Sequence, residues 1–467
     1  MYKSRVNATL GVRHAAAAIL LLALALRVGA VLATPDYRPI HDDRDYDRHA
    51  CWVALHGFLP TRLPPLPSPR SCAPATLLPQ HNGVSGPLVR VHQRPGILTA
   101  YRPPLWPLTL GGAYALTGRL PIGRWTAGRL LQAAIGTATV ALTGAIAAEV
   151  WGWGIGLIAM ALAALFLPLV LDGDTLISEP LFVALELAAV LAALRQRRSP
   201  AGLRWALAAG ALAGLAALTR STGALLVLAL LPLAWVRMPR RRWRSLAGPG
   251  TLALTAALVV APWTIRNAVV LRAFVPVSTE TGPTLLGTYN AAARSSRTCH
   301  GCWLLLASRR RYQGLMRRMR RLDEVQRDRL GRTLALRLIG RHPEYVAEVA
   351  WANSLRLLEL GGAARTRYTA TRIDVSPRAA VAGAWELWGI VLLATLGAAL
   401  GALRRAPRAL IALPAFLWVA TVLVQSETPR FRAPIDPFLL MLAATTFPWA
   451  ARSAGAAAAR RRAVAAR

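Results

Sequence analysis

The chain has 467 residues, 55% hydrophobic and 16% charged, with 56 basic against 21 acidic side chains and a formal net charge of +35. Apolar runs of spanning length recur from Ala15 to Ala450, which excludes a soluble globular enzyme and a single cleaved leader as explanations. The charge comes almost wholly from arginine at the ends of apolar runs, where it can snorkel to anionic membrane lipids; it is divided among loops, which argues against nucleic acid.

A spanning helix needs roughly twenty apolar residues, and short basic loops mark the cytoplasmic side. Lys3, Arg5 and Arg13 precede the run Ala15 to Ala33, so the N-terminus is expected inside and Pro-rich residues 34–104 outside, as a first outer loop. Leu105 to Leu116 is too short to span and lies between Arg102-Pro103-Pro104 and Arg119-Leu120-Pro121, which predicts an interfacial helix. Residues 126–148 return inward and 153–171 go out, placing Asp172, Asp174 and Glu179 outside. The run 180–194 ends inside at Arg195-Gln196-Arg197-Arg198, and the hairpin 203–236, turning at Thr219-Arg220-Ser221, ends inside at Arg237 and Arg240-Arg241-Arg242. Residues 246–263 lead out to a polar region, 265–378; the runs 380–402, 408–424 and 433–450 follow, with Arg404-Arg405 and Arg460-Arg461-Arg462 inside.

The expected fold is all-α and polytopic, with about ten transmembrane helices and both termini cytoplasmic. It divides into an N-terminal transmembrane core, 1–264, including the outer loop 34–104; an outer loop with amphipathic helices, 265–379; and C-terminal helices with a basic cytoplasmic tail, 380–467. Basic residues Arg309 to Arg332 fall outside, as long translocated loops allow, and their periodicity predicts an amphipathic helix on the membrane surface.

This threading gathers the polar residues on the outer side: His41 to Tyr46, Asp172-Gly173-Asp174, Ser178-Glu179-Pro180, Arg220, Arg266-Asn267, Glu280 and Glu427 to Arg432. Each alone is equally explained as a helix cap in the head-group layer; several clusters on one face point to an active site at the interface. The cysteines, Cys51 with Cys72 and Cys299 with Cys302, all fall outside, where an oxidising compartment favours two disulfides; Cys299-His300-Gly301-Cys302 alone is a poor zinc site. Histidines 41, 49, 56, 81 and 92 crowd the first outer loop and read mainly as solvated, His41 beside Asp42 being the one to test.

Several segments resemble membrane glycosyltransferases of the GT-C fold, most closely the family 39 protein mannosyltransferase-like enzymes and the aminoarabinose transferases that modify lipid A. They are Asp42 with Tyr46 and Ala50, Arg102-Pro103-Pro104-Leu105-Trp106-Pro107, Ile177-Ser178-Glu179-Pro180-Leu181, Leu218-Thr219-Arg220, Pro262-Trp263-Thr264-Ile265-Arg266-Asn267 and Arg430-Phe431-Arg432-Ala433-Pro434-Ile435. The resemblance implies transfer of a sugar from a polyprenyl-phosphate donor to an envelope acceptor (protein, polysaccharide or glycolipid) at the outer face of the cytoplasmic membrane, with inversion. In the lipid A enzymes an acid that can help hold a metal precedes the basic-proline pair; Tyr101 stands there in this chain, so a divalent metal is left open.

A phosphate leaving group needs positive charge, for which Arg220, Arg266, Arg430 and Arg432 are candidates, because the guanidinium fork binds phosphate oxygens in pairs. The acceptor hydroxyl needs a base: Asp42 is the first candidate, with Asp43 or Asp45 as alternatives. Glu179 is a second catalytic or substrate-orienting candidate, although an acid followed by Pro180 at a helix start is physically complete as a cap. Tyr46 and Asn267 are expected to position substrate. A transporter or lipid flippase is the rival; it calls for inverted repeats and polar residues at mid-membrane depth, whereas the charges here stand at the ends of spans.

Overall fold

A computed structural model of the chain describes residues 2–57, 72, 99–199, 202–236, 245–372, 375–424 and 428–448. His81, His92, the Arg237 and Arg240-Arg241-Arg242 cluster, Glu427 and the basic tail, about which the sequence raises expectations, lie outside the described residues. In chain order the helices begin with α1 (Tyr2–Ala33), α2 (His41–His56), α3 (Leu105–Thr117), α4 (Arg124–Trp151), α5 (Trp153–Leu165), α6 (Leu167–Asp172) and α7 (Glu179–Arg198). They continue with α8 (Arg204–Thr219), α9 (Gly223–Ala234), α10 (Ala247–Leu271), α11 (Thr281–Thr288), α12 (Ala291–Arg294), α13 (Gln313–Arg320) and α14 (Glu324–Arg341). The last are α15 (Glu344–Leu357), α16 (Ala363–Thr371), α17 (Pro377–Ala399), α18 (Arg408–Val424) and α19 (Asp436–Ala444).

The apolar runs of the sequence fall on helices, and the fold is an all-α polytopic membrane bundle. Leu10–Ala33 of α1, α4, α10 and α17 are each long and apolar enough to cross a bilayer, while α5, α8, α9 and α18 are apolar but shorter. The run expected as one span from 153 to 171 is broken. Pro168 cannot donate a backbone hydrogen bond, so α5 stops before Phe166 and α6 restarts, with the Leu167 amide held by Glu386 of α17 at 2.8 Å.

Small residues let the helices approach closely. A Cβ on Gly210 of α8 would lie 2.4 Å from the Leu252 carbonyl of α10, and one on Gly214 would lie 2.9 Å from that of Ala256. Such contacts suit a bundle in lipid, where apolar surface alone gives no drive to associate. Charges lie within the bundle as well as at span ends, correcting the expectation from sequence: Arg27, Glu186 and Glu386, the last being the acceptor of the Leu167 amide. Arg27 of α1 donates to the carbonyls of Ala23 and Ala163, both at 3.2 Å, and Glu186 of α7 is fully buried with no hydrogen-bond partner among the described residues.

A polar layer, α11 to α16, stands beyond α10. The stretch Arg309 to Arg332 is not one helix laid on the membrane: it is a 3-10 turn at Arg310–Tyr312, then α13, a break, and α14. Asp323 restarts the chain with a capping box, its carboxylate accepting from the Gln326 amide at 2.8 Å while the Gln326 side chain accepts from the Asp323 amide at 3.3 Å. The apolar face, Met316 and Met319 of α13 with Val325 and Ala335 of α14, is buried inside the protein, so it is not available to lipid. Disulfides join Cys51 to Cys72 and Cys299 to Cys302.

Candidate active site

Asp42 to Asp47 fold as the first turns of α2, where unpaired amides favour acids. Helical spacing then sorts the acids onto two faces. Asp43 and Asp47, four apart, face the bundle. Asp43 accepts from the Tyr37 hydroxyl at 2.5 Å and from the Leu176 amide at 3.3 Å; the Arg124 fork donates to both oxygens of Asp47 at 2.9 Å, and the Tyr114 hydroxyl donates to Asp47 at 2.9 Å. These anchors set the rotation of α2, and they turn Asp42, Asp45 and Tyr46 toward the opposite side.

There the side chains form a closed ionic ring. Arg102, delivered by the Arg-Pro-Pro segment before α3, donates to Asp42 at 2.7 Å and Asp45 at 2.7 Å, approaches Glu280 at 3.4 Å, and stacks on the Tyr46 ring. Arg430, on the turn before α19, pairs with the second oxygen of Asp42 and lies 3.4 Å from Glu179. Arg220, between α8 and α9, holds the same Glu179 oxygen at 2.7 Å and donates to Ser178 at 3.2 Å, as does the Tyr46 hydroxyl at 3.2 Å. Ser221 closes the circle by donating to Glu280 at 3.1 Å. Asp42 is the reachable acid: its side chain is 33% exposed, against 21% for Glu280, 8% for Asp45 and 2% for Glu179.

Burial alone would raise the Asp42 carboxyl, but the Arg102 and Arg430 guanidiniums hold it well below the usual carboxylate range. Asp45 is lowered too, Arg102 overriding burial. Glu280 is raised, because its burial outweighs Arg102 and Arg220. Burial pushes Asp43 up to about 7 against the pull of its Tyr37 hydrogen bond. The ring therefore presents an ionised Asp42 whose basicity depends on how tightly two arginines grip it.

The other expected residues are placed elsewhere. Arg432 is fully buried, donating to Asp436 and the Leu357 carbonyl at 2.7 and 2.5 Å, so it bolts the α19 turn to α15 and does not face the ring. Asn267 is fully buried and donates to the Val275 carbonyl at 3.0 Å. Arg266 stacks on Trp263 and donates to the Thr99 carbonyl at 3.0 Å. That bond belongs to a support node which sequence reasoning missed: Glu324 of α14 accepts from the Thr99 hydroxyl at 2.8 Å and the Ala100 amide at 2.7 Å, and the Ala100 carbonyl accepts from the Thr279 amide at 3.0 Å. The node seats Arg102 and Glu280 together. Neither had an assigned role in the sequence reading; the one available signal is the proline pair that stiffens the chain after Arg102.

The residues present do not fit a divalent cation. Both Asp42 oxygens face guanidiniums, Tyr101 occupies the position before Arg102, the acids that meet here, Asp42, Asp45 and Glu280, are turned onto Arg102, and no group of three His, Cys, Asp or Glu is placed to hold a metal ion among the described residues.

The helical bundle has the GT-C fold of polytopic membrane proteins. Residues 101–265 match the family model described as dolichyl-phosphate-mannose-protein mannosyltransferase; the match takes in Arg102, Glu179, Arg220 and Ser221, and Asp42, Glu280 and Arg430 fall outside it. Among solved structures, the fold is similar to the archaeal oligosaccharyltransferase AglB from Archaeoglobus fulgidus in complex with an inhibitory peptide and a dolichol-phosphate. The TM-score is 0.51 at 12% identity, covering 92% of this chain and 50% of that one, so the chain spans half the length of AglB. ArnT from Cupriavidus metallidurans bound to undecaprenyl phosphate gives a TM-score of 0.40 at 14% identity, over 94% of this chain and 76% of that one. No curated protein matches the sequence.

Proposed function

We propose that the chain is a membrane glycosyltransferase that moves a sugar from a polyprenyl-phosphate-linked donor to an acceptor hydroxyl at the outer face of the cytoplasmic membrane. The observation that carries this reading is the placement of Asp42, the most exposed acid of the ring, between two arginines. The mannosyltransferase-type segment and the dolichol-phosphate bound to the similarly folded AglB support the donor class.

In this mechanism the acceptor oxygen attacks the sugar's anomeric carbon, the carbon–oxygen bond to phosphate breaks, and the electron pair leaves with the phosphate. Asp42 takes the acceptor's proton, and Arg430 and Arg220 receive the phosphate oxygens, a single displacement that inverts the carbon. Arg430 would serve both partners. A donor phosphate that draws it off Asp42 raises the basicity of that carboxylate at the moment a base is needed. Glu179 would orient Arg220 and Arg430, and Tyr46 would hold Ser178 and the Arg102 face in place.

The test is transfer in membranes carrying wild type or Asp42→Asn, supplied with a panel of radiolabelled polyprenyl-phosphate sugars and envelope acceptors. A loss of at least about 100-fold in the well-expressed variant is expected. Equal transfer by both chains would remove Asp42 as the base. Donor uptake into sealed vesicles without transfer would favour the transporter reading.

A further inference from the structure

The polar layer carries a second feature that the ring does not use. Every arginine from Arg309 to Arg341 is exposed except the half-buried Arg327, while of the acids in that stretch only Asp323 is exposed; Glu324 and Asp328 are buried. Arg309, Arg310, Arg317, Arg318, Arg320 and Arg321 form no ion pair among the described residues. At one side of this plate opens a cleft of about 440 Å³, lined by Arg294, Arg311, His300, His342 and Glu348 among others. Ala291 and Ser295, just beyond α11, are also on its wall, and Glu280 of the ionic ring stands at the other end of α11, a rod of about 12 Å.

We infer that this plate and cleft hold the acceptor, and that the acceptor is an acidic glycan, a sugar chain carrying repeated carboxylate or phosphodiester groups. The assignment rests on the transferase reading for the word acceptor; the polyanion site itself does not. Three observations choose the occupant. The basic face is long, since α14 alone runs about 27 Å, so it matches repeated charges better than one small anion. Its apolar side is buried and Leu336, 59% exposed, is the one large apolar side chain exposed between Arg309 and Arg341, so it lacks the wedge that seats an amphipathic helix in a bilayer. The described residues offer no sheet edge, so strand addition, the backbone means of seating an extended peptide, is missing.

The experiment uses the full chain in nanodiscs of uncharged lipid and follows the anisotropy of a fluorescent polygalacturonate oligomer, with dextran and polyglutamate of similar length as comparisons. Polygalacturonate is expected to bind, dextran not, and the affinity to fall at least about 10-fold between 50 and 200 mM salt, as multivalent contact with a polyanion requires. Replacing four exposed side chains together (Arg317→Gln, Arg318→Gln, Arg320→Gln and Arg321→Gln) should weaken binding by about 10-fold or more. The same variant should raise KM for an acidic glycan acceptor, leave kcat near wild type, and leave transfer to a short neutral acceptor unchanged. Equal binding by wild type and variant overturns the proposal. So does polyglutamate binding as tightly as the glycan, which would assign a peptide, or arginine-dependent flotation with phosphatidylglycerol vesicles in the absence of glycan binding, which would assign the membrane. Glycan binding with no transfer to any acceptor would instead count against the transferase reading alone.

Discussion

In the ionic ring the guanidiniums of Arg102, Arg220 and Arg430 each hold a carboxylate, and Arg432, two residues past Arg430, is fully buried against Asp436. At the far end of α11, Arg317, Arg318, Arg320 and Arg321 stand exposed with no ion pair among the described residues. The same residue type thus obeys two different rules. A buried guanidinium removed from water must recover its lost solvation from fixed acids, and it becomes part of the scaffold or the site; an exposed one keeps its solvation and stays free to meet a ligand. A strongly basic composition therefore says little until each charge is placed.

The largest expected effect is at Arg432. Arg432→Ala leaves Asp436 and Glu359 buried without their cation, and a loss of about 3–5 kcal/mol is expected, read as a large drop in the thermal unfolding temperature of the detergent-solubilised protein. A variant that melts like wild type would show that the bolt contributes nothing.

The effect of Asp43 is read through pH. Its carboxyl is raised by burial from 3.8 to about 7, so the unfolded chain releases this proton at lower pH than the folded one. Its stabilising contribution is therefore complete below about pH 4 and is lost as pH rises toward 7. Asp43→Asn cannot ionise, so relative to wild type it should gain up to about 4 kcal/mol between pH 4 and 7 and then level off. Parallel melting curves at all pH values would show that Asp43 titrates normally.

Next in size is Glu324→Gln, which takes the charge from the acceptor of the Thr99 and Ala100 bonds and should cost about 1–3 kcal/mol. Because that node seats Arg102, sugar transfer should fall in the variant even at temperatures where it remains folded; unchanged transfer would detach the node from the ring. The smallest effect belongs to the basic plate, where the fourfold arginine-to-glutamine variant should keep the stability of wild type within about 0.5 kcal/mol. A cooperative loss there would mean that these arginines, too, are structural.

Much of this molecule is readable from local composition. Runs of Ala, Leu and Val of spanning length locate the helices of the bundle, prolines locate breaks, and Asp42, Glu179, Arg220 and Arg430 stand out because each sits where an apolar run ends. Burial in lipid is decided by the residues of one segment alone, so sequence suffices for it. The 153–171 break could have been anticipated from Pro168; the buried Glu186 could not, because one acid in an apolar helix reads the same whether it faces a neighbour or an interface.

What only the tertiary structure decided is which charges meet. Asp42, Asp43 and Asp45 are equivalent as a string, and the rotation of α2, set by the Asp43 and Asp47 anchors, sends one to the reachable face and one to the core. Arg430 and Arg432 are two residues apart, yet one closes the ring and the other bolts the scaffold. Arg102 meets Glu280 across 178 positions of sequence. Charge pairing depends on distances of a few ångströms between segments remote along the chain, and those distances exist only once the helices have packed.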